Sequence, residues 1–453
     1  MEIWMRRSVR GDPRFGLRMR ELRMARGLSL RALAVRAYSN KSQLQAFEAG
    51  TQWPSAETVR RIDEALGAGG ELVGLWRPAE RDDKASGRLT LEFAPNWSRA
   101  VDVAATLWRA DAEHRIVASR LVFDSAAFLP PAIRWLTSPL EEQARGTGSV
   151  DVTAADVAVI REATAMFRTL DNHYGGGHVR DRVVRFLAGE VTPLLANGRF
   201  EETVGRELLS AAAELTQLAG WATYDVGLHG LGQRYLIQAL RLAMSAGDRA
   251  LGAEILAAMS HQAAYLRAAD EAVDLARAAG KAATEAGVAA IAAEAAVLEA
   301  RGLAVKGDES GCAAALDRAE RTLDRADRAQ DPQWIKYFDE AYLSAKFGHC
   351  FVELGRGDLA RRFAERSLEM DTRFVRGKQF NLSLLAKANI QAGEIEEAAV
   401  VGQEAADLAG QLRSARSHDY LRDVAVRLAP HVGLSPVRDF VGRARPVLEQ
   451  VGG

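Results

Sequence analysis

Two short segments with helical periodicity lie three residues apart near the amino terminus, at residues 30–36 and 40–47. The first has Leu30 and Leu33 on one side, and the second has Leu44 and Phe47 on one side. Apolar residues at this spacing share one face of a helix, so both segments are predicted to be helical. Only residues 37–39 separate them. The two helices must therefore be joined by a tight turn.

Two further helices are predicted to complete this unit. One extends from Phe15 to Gly27, where glycine suits the position after a helix end. The other begins after Pro54, with Ser55 as its N-cap, just as Ser29 is expected to cap the helix at 30–36. The inward positions are expected to be Leu17 or Arg18, Leu22 and the stem of Arg26 in the first helix, and Val59, Ile62 and Leu66 in the last.

Two helices joined by a tight turn, the second with a polar outer face, form a helix-turn-helix unit. The second helix of such a unit fits the DNA major groove, which is about 12 Å wide. Lysine side chains suit guanine, and asparagine and glutamine suit adenine. The residues expected to face the bases are Asn40, Lys41, Ser42, Gln43 and Gln45, with Ser29, Arg31 and Arg18 as further DNA contacts.

The charge of the chain is divided unevenly. Residues 1–61 contain 13 Lys and Arg and 5 Asp and Glu, a net charge of +8. The remaining 392 residues carry −9, because the whole chain carries −1. A basic head on an acidic body suggests that the head meets a polyanion. The alternative is a solvated arginine-rich surface, and charge alone does not decide between them.

The amino-terminal segment resembles the Xre-type domain of the lambda-like phage repressors. The resemblance rests on the blocks Leu22-Arg23, 27–34, 39–42 and 47–50 and on their spacing. In that family an arginine late in the first helix pairs with the glutamate that ends the recognition helix. The resemblance implies that Arg23 and Glu48 form this pair here, which makes Arg23 a scaffold residue and not a DNA contact.

Two positions depart from the pattern of that family. The second helix usually begins with Ser-Gln or Thr-Gln, and the glutamine helps to hold a phosphate. Leu30 occupies that position here, so Arg31 is expected to take over the contact or the grip on DNA is weaker. The turn has Ala37-Tyr38 where glycine is common.

The rest of the chain is predicted to be helical. Alanine, leucine, glutamate and arginine recur, and long β-branched runs are rare, which favours an all-α protein. The predicted divisions are a helix-turn-helix domain at 14–77, a linker at 78–94, a helical connecting region at 95–205 and a repeat domain at 206–453. Residues 145–150 are expected to form a loop, and the three glycines at 175–177 to interrupt a helix.

Glycine-centred breaks recur through the last region. The clearest correspondence places Gly357-Asp358 against Gly393-Glu394, 36 residues later. A period of 34 or slightly more is typical of tetratricopeptide-like repeats, whose helix pairs stack on one another into an α-solenoid. About five pairs are predicted between Arg206 and Leu428, followed by a terminal helix at 435–451. Small residues expected where helices cross are Ala364, Ser367, Ala399 and Ala405.

This body is similar to the carboxy-terminal part of actinobacterial Xre regulators with tetratricopeptide-like domains. The matching stretches are 167–172 with Gly175-Gly176, 219–221 with Tyr224-Asp225, 233–235 with 238–240, and 259–263. The resemblance implies transcriptional control by a small-molecule or peptide effector that is usually unknown.

Polar and aromatic residues are densest around residues 221–235. On a repeat domain such residues can line the concave face and hold an effector. The alternative is that Trp221 and Tyr235 are packing residues and that Arg234 forms an internal ion pair with Asp225. The candidate effector-binding residues are Trp221, Tyr224, Asp225, His229, Arg234, Tyr235 and His261.

Two other segments have weaker candidate roles. The glycine run beside Asp171 could cradle an anion through its backbone amides, but an ordinary loop between helices is the favoured interpretation. Asn381, Lys387 and Asn389 could grip an extended peptide, and the alternative is a solvated helix surface.

The sequence contains no signature of catalysis, a metal site or a cofactor. Cys312 and Cys350 belong to no metal-binding or disulfide pattern, which fits a reducing cytosol. No stretch is long and apolar enough for a membrane span. The expected protein is therefore a cytoplasmic, nucleoid-associated regulator that binds a double-stranded DNA operator as a homodimer. The alternative is a repeat-based protein-interaction adaptor whose DNA binding is secondary.

Overall fold

The computed structural model describes residues 14–48, 54, 56–75, 91–116, 118, 121–138, 144–329 and 331–449. The chain divides into two compact units, Met1–Leu89 and Thr90–Gly453, here called the amino-terminal unit and the helical body. The prediction of an all-α fold is confirmed. Most of the predicted linker and the predicted cap Ser55 lie outside the described residues.

Among its described residues, the amino-terminal unit has five helices around one core. Gly27, two residues past the last residue of the first helix, has a φ of 64°, which confirms its predicted role as a helix stop. The core of the first helix differs from the prediction, since Phe15, Met19 and Leu22 are buried and Arg18 faces outward. The helices are α1 (Arg14–Ala25), α2 (Leu30–Arg36), α3 (Lys41–Glu48), α4 (Ala56–Ala65) and α5 (Glu71–Leu75).

The fifth helix was not predicted. The buried carboxylate of Asp63 accepts hydrogen bonds from the backbone N–H groups of Gly70, Leu72 and Val73. Such bonds satisfy donors that the first turn of a helix leaves without partners. A capping side chain normally comes from the residue directly before the helix. Asp63 instead lies within α4, so the local sequence around α5 does not reveal this cap.

The first part of the helical body combines helices with a small sheet of three strands. Strand β3 pairs antiparallel with β1 and parallel with β2, so the prediction of a loop at 145–150 is wrong. The elements are α6 (Trp97–Ala112), α7 (Leu129–Thr137), β1 (Gly146–Thr147), β2 (Val150–Asp151), α8 (Ala154–Tyr174), α9 (Gly176–Phe186), α10 (Thr192–Asn197) and β3 (Gly198–Phe200).

A stack of six helix pairs follows. The five predicted pairs are present as α11 to α20, and α21 pairs with the predicted terminal helix. The pairs are α11 (Glu202–Asp225) with α12 (His229–Ala246), α13 (Arg249–Tyr265) with α14 (Ala269–Ala286), α15 (Ala289–Lys306) with α16 (Glu309–Asp324), α17 (Glu340–Glu353) with α18 (Gly357–Arg366), α19 (Val375–Ala392) with α20 (Ile395–Ala409), and α21 (Ala415–Leu428) with α22 (Ser435–Glu449).

The predicted correspondence between Gly357 and Gly393 is off by two residues. Gly393 ends α19 with a φ of 89°, and the matching residue after α17 is Gly355, whose φ is 69°. Gly357 instead begins α18. The four small residues predicted at helix crossings are all buried, which allows neighbouring helices to approach closely.

One hydrophobic core runs through the helical body from Phe93 to Cys350, and further clusters lie among α17 to α19 and among α19 to α22. Phe93 and Ala94 belong to the main core, so they are part of the body and not of the predicted linker 78–94. The core also crosses the predicted boundary at 205 without a break. Within the described residues, no helix combines the length and the apolar character that a membrane crossing requires.

Candidate nucleic-acid interface and inner-ring cluster

Two side chains position the short helices of the amino-terminal unit by capping them. The Oγ of Ser29 accepts a hydrogen bond from the backbone N–H of Ala32 at 3.1 Å, at the start of α2. The Oδ1 of Asn40 accepts from the N–H of Gln43 at 2.7 Å, at the start of α3. The predicted cap Ser29 is confirmed. The side-chain oxygens of both residues are thus engaged within the protein.

The outer face of α3 is polar and exposed, as predicted. Leu44 and Phe47 are buried in the core, which fixes the rotation of the helix. The opposite face then points to solvent with hydrogen-bonding groups that can meet base edges in a major groove. Its exposed side chains are those of Lys41, Ser42, Gln43 and Gln45.

An ion pair joins α1 to the end of α3. The Nε of Arg23 lies 2.6 Å from Oε1 of Glu48 and its Nη2 lies 2.9 Å from Oε2, while Nη1 donates to the carbonyl of Leu28 at 2.8 Å. The hydrogen bond to Glu48 raises the pKa of Arg23. Both side chains are largely buried. The geometry agrees with a scaffold role for Arg23, as the resemblance implied.

Arg18 does not suit its predicted role as a phosphate contact. Its guanidinium bonds Glu71 through Nε at 2.6 Å and Nη2 at 3.2 Å, and Glu21 through Nη1 at 2.9 Å. Hydrogen bonds to Glu71 and then Glu21 raise the pKa of Arg18. Two carboxylates therefore surround this cation. Arg31 is exposed and keeps its place as the candidate phosphate contact.

The turn between α2 and α3 holds a strained residue. Tyr38 has a φ of 49°, in the left-handed region that suits glycine, and its side chain is 85% exposed. A non-glycine residue there costs about 1–2 kcal/mol. The exposed ring gains little packing to offset this cost.

Replacing Tyr38 with glycine is expected to raise the free energy of unfolding of the amino-terminal unit by about 0.5–1 kcal/mol. The gain comes from relief of backbone strain. Urea unfolding of the full chain would measure it, with Tyr38→Ala as the matched control because alanine keeps the Cβ. Equal stability of the two variants would contradict the explanation.

In the helical body, the first helix of each of the six pairs contacts the first helix of the next pair, and side chains of these helices meet in a common interior. These six helices, here called the inner ring, are α11, α13, α15, α17, α19 and α21. The last of them returns to the first two, because the guanidinium of Arg416 lies over Tyr224 of α11 and the hydroxyl of Tyr265 on α13 donates to Asp419 at 2.9 Å. The ring is therefore closed by side-chain contacts.

Four of the predicted effector residues meet in this interior. The rings of Trp221 and His261 lie 5.1 Å apart, and those of Tyr224 and His229 lie 5.7 Å apart. The hydroxyl of Tyr224 and Nδ1 of His261 are 3.4 Å apart. Sequence reasoning missed the other members of this inner-ring cluster, which are Tyr265, Lys346, His349, Phe380, Arg416 and Tyr420.

Arg234 and Tyr235 do not belong to the cluster. They lie on α12, outside the inner ring, and both are buried. Nη1 of Arg234 donates to the carbonyl of Gly230 at 2.6 Å. The hydroxyl of Tyr235 donates to Asp111 at 2.7 Å, and Arg180 bonds the same carboxylate. Their assignment to an effector site is corrected, and Tyr235 has the packing role of the alternative interpretation.

Asp225 joins distant parts of the body. Its buried carboxylate accepts from the backbone N–H of Gly176 at 2.9 Å and from the hydroxyl of Ser414 at 3.0 Å. Arg376 lies 3.3 Å from it. We call these four residues the Asp225 junction. The alternative ion pair between Asp225 and Arg234 is wrong, since the cation is Arg376.

The glycine run contacts protein on several sides. Gly175, with a φ of 86°, ends α8, but Gly176 and Gly177 already belong to α9, so the predicted interruption is limited to one residue. A Cβ on Gly176 would lie 2.6 Å from the carbonyl oxygen of Ala222. Asp171, beside the run, pairs with Arg376 at 2.7 Å. The glycines thus allow close helix packing, and an anion cradle is not supported.

Burial and mutual repulsion act on the cations of the inner-ring cluster. Burial lowers the pKa of Lys346 to about 7; Glu294 opposes this shift, and Arg416 and Arg301 add to it. The ammonium lies over the ring of Tyr342 at 4.7 Å. The pKa values of His261 and His349 lie well below the usual range, mainly because both imidazoles are buried and secondly because cations lie nearby. Both imidazoles are therefore neutral at pH 7.

The segment around Lys387 is not a solvated surface. Asn381, Lys387 and Asn389 are all buried in α19. Lys387 pairs with Asp423 at 3.2 Å, and Asn381 donates to the carbonyl of Ser367 at 2.8 Å. Nowhere in the described ranges do three or more His, Cys, Asp or Glu side chains converge as metal ligands.

Comparison with known protein families matches residues 14–76 to a family described as a helix-turn-helix domain. The match contains helices α1 to α5, including the exposed face of α3. No curated protein matches the chain. A helix-turn-helix domain suggests that the protein is a DNA-binding regulator.

Proposed function

We propose that the protein is a sequence-specific transcriptional regulator of the Xre type. The observation that carries this proposal is α3, whose buried Leu44 and Phe47 turn a row of exposed polar side chains outward. Lysine and glutamine on such a helix suit guanine and adenine in the major groove. The net charge of +8 over residues 1–61 would favour approach to DNA.

The helical body, in this proposal, is a tetratricopeptide-like domain that senses an effector. Its support is the stack of helix pairs and the concentration of polar and aromatic side chains in the inner-ring cluster. The body would have no catalytic role and need no cofactor. A single helix-turn-helix contacts only a short half-site, so the regulator is expected to act as a homodimer on half-sites about 34–36 Å apart, or a multiple of that distance.

Selection of bound fragments from genomic DNA by the full-length protein tests the proposal. A reproducible sequence with two related half-sites is the expected result. Fragments that are retained equally whatever their sequence, with an affinity that salt alone controls, would contradict sequence-specific regulation. The same experiment gives the half-site spacing and so tests the homodimer.

Lys41→Ala and Gln43→Ala are expected to weaken binding to the selected site by about 1–3 kcal/mol each. If Lys41 contacts a base, the variant also loses discrimination at one position of the site. Quantitative shift assays against single-base variants of the site would measure both effects. Glu64→Ala, an exposed change on α4, is the control.

The two variants separate base contacts from other roles. A uniform loss on all sequences would make Lys41 a phosphate contact. Unchanged binding by both variants would mean that another face of the unit meets DNA.

A protein-interaction adaptor is the second candidate function. Leu30 stands where the resembling domains hold a phosphate through glutamine, and the guanidinium of Arg18 is occupied by Glu21 and Glu71. Both features weaken the expected grip on DNA. The adaptor is supported if the selection finds no DNA sequence while the full-length protein forms a stoichiometric complex with an identified protein partner.

A further inference from the structure

Arg416 lies in a cage of aromatic rings inside the inner ring. Its guanidinium carbon is 4.5 Å from the ring centre of Tyr224 and 4.8 Å from that of Phe380. The rings of Tyr265 and Trp221 follow at 5.4 and 6.0 Å. Contacts of this length are favourable cation–π interactions. These rings surround the guanidinium but offer no oxygen or nitrogen acceptor to its N–H donors, apart from the two tyrosine hydroxyls, with which the structure shows no hydrogen bond.

The donors of Arg416 have no acceptor among the described residues. Its Nε is buried and without a hydrogen bond, and the nearest carboxylate oxygen, Oδ1 of Asp225, lies 3.8 Å from Nη1. That oxygen already accepts from Ser414. Buried donors in native proteins nearly always have partners, and a guanidinium carries five. A buried arginine in this condition is suited to an anion that can accept two parallel hydrogen bonds.

Other groups add positive charge to the same interior. The ammonium of Lys346 lies over the ring of Tyr342 and, within the part of the chain that the structure describes, has no hydrogen-bond acceptor. His261 and His349 lie close enough to Lys346 and Arg416 for these cations to act on their charge. Both imidazoles could take up a proton beside an added anion.

We propose that the inner-ring cluster binds a small organic anion, whose carboxylate or phosphate group accepts hydrogen bonds from Arg416 while its planar aromatic body packs against the surrounding rings. The inference rests on the proposed function, since this anion would be the effector. The half-buried rings of Trp221, Tyr265 and Tyr420 provide the apolar walls. His229 lies beside them with a buried Nδ1 that has no partner, which can bond a polar substituent of the ligand.

A neutral or cationic ligand fits this interior less well. An aromatic cage ordinarily attracts a cation, but here Arg416 already occupies it. A second cation would meet Arg416 and Lys346 at short range. A neutral aromatic molecule could contact the rings but would not satisfy the donors of Arg416.

The anion is expected to bind more tightly as the pH falls through 7. Its charge stabilises the protonated form of Lys346, so binding is coupled to uptake of a proton. Glu294 and, to a smaller extent, Cys350 already favour the protonated form of Lys346, whereas Arg416 and Arg301 oppose it. The groups that face Lys346 from neighbouring helices are Glu294 and Arg301 on α15, His261 on α13 and Arg416 on α21, with Tyr342, His349 and Cys350 on its own helix.

Calorimetric titration of the full-length protein with matched probes tests the proposal. Benzoate and phenyl phosphate carry the two anionic groups on the same ring, and benzamide is the neutral counterpart of benzoate. At least one anion is expected to bind ten times more tightly than benzamide, which corresponds to about 1.4 kcal/mol. The better anion decides between carboxylate and phosphate, and inorganic phosphate and acetate show whether the ring contributes.

Variants locate the binding. Arg416→Gln is expected to weaken the better anion at least tenfold, and Arg321→Gln, an exposed change on α16, to leave it unchanged. If Arg416→Gln does not fold, Lys346→Met serves in its place, with weaker anion binding and loss of the pH dependence expected. Equal binding of benzamide, no binding of any probe, or full affinity in the folded variants would overturn the proposal.

The outcome is separable from that of the proposed function. Anion binding is measured without DNA, and DNA selection is performed without the probes. If the protein binds the anion but selects no DNA sequence, the proposed anion site is supported and the proposed regulatory function is contradicted. If it selects a DNA sequence but binds no anion, the regulatory function is supported and the anion site is contradicted.

Discussion

Asp225→Ala is expected to destabilise the helical body by about 3–5 kcal/mol, the usual loss when one partner of a buried ion pair is removed. The variant leaves the buried guanidinium of Arg376 with one carboxylate, that of Asp171, and a longer hydrogen bond to Asn172. It also removes the acceptor for the N–H of Gly176 and for the hydroxyl of Ser414. Urea unfolding followed by circular dichroism would measure the loss.

The control for this variant is Asp407→Ala. Asp407 pairs with Arg443 at 2.6 Å on the surface, and about half of each side chain is exposed. Solvent screens such a pair, so its loss should cost no more than about 1 kcal/mol. Asp225→Asn, which keeps one acceptor oxygen, should fall between the two. Equal stability of Asp225→Ala and Asp407→Ala would show that the Asp225 junction does not hold the body together.

Lys346→Met is expected to stabilise the protein at pH 7 and to change its dependence on pH. The pKa of Lys346 falls from an ordinary 10.5 to about 7 on folding. The folded protein therefore binds fewer protons than the unfolded chain between pH 7 and 10.5. Below pH 7, Lys346 lowers the free energy of unfolding by its full amount. This loss disappears as the pH rises toward 10.5.

The parent protein should thus gain up to about 1.4 kcal/mol per pH unit from this residue between pH 7 and 10. The methionine variant lacks that slope, and its advantage of about 2–4 kcal/mol at pH 7 should shrink as the pH rises. Unfolding of both proteins at pH 7, 8 and 9 would measure the difference. Lys281→Met, at an exposed lysine, is the control. A parallel pH dependence of parent and Lys346→Met would contradict the assigned pKa.

Local signals predicted the amino-terminal unit well. The cap at Ser29, the stop at Gly27 and the inward positions Leu44 and Phe47 all depend on neighbours within one turn of helix. The pairing of Arg23 with Glu48 spans 25 residues and came from the family resemblance, because spacing alone does not identify such a partner. The carboxylates around Arg18 come from two helices, Glu21 from α1 and Glu71 from α5. The sequence did not predict that these two helices place their carboxylates beside Arg18.

The inner-ring cluster could be predicted only in part. Trp221, Tyr224, His229 and His261 were found because they lie close together in the sequence or one helix pair apart. Arg234 and Tyr235 were included by the same proximity, although α12 lies outside the ring. Arg416 is nearly 200 residues away from Trp221 in the sequence. Its position depends on the return of α21 to α11, a long-range contact that periodicity does not encode.

The closed inner ring also bears on how the body is assembled during synthesis. In an open array of helix pairs, each pair contacts only its neighbours, so early pairs can be complete before later ones exist. Here Asp225 and the start of α9 depend on Ser414 and Arg413, which precede α21. A nascent chain emerging from the ribosome would therefore keep these early helices incompletely bonded until residues beyond 414 have been made. The interior would become enclosed only at that late stage, and a chain interrupted before it would expose the interior to solvent and to chaperones.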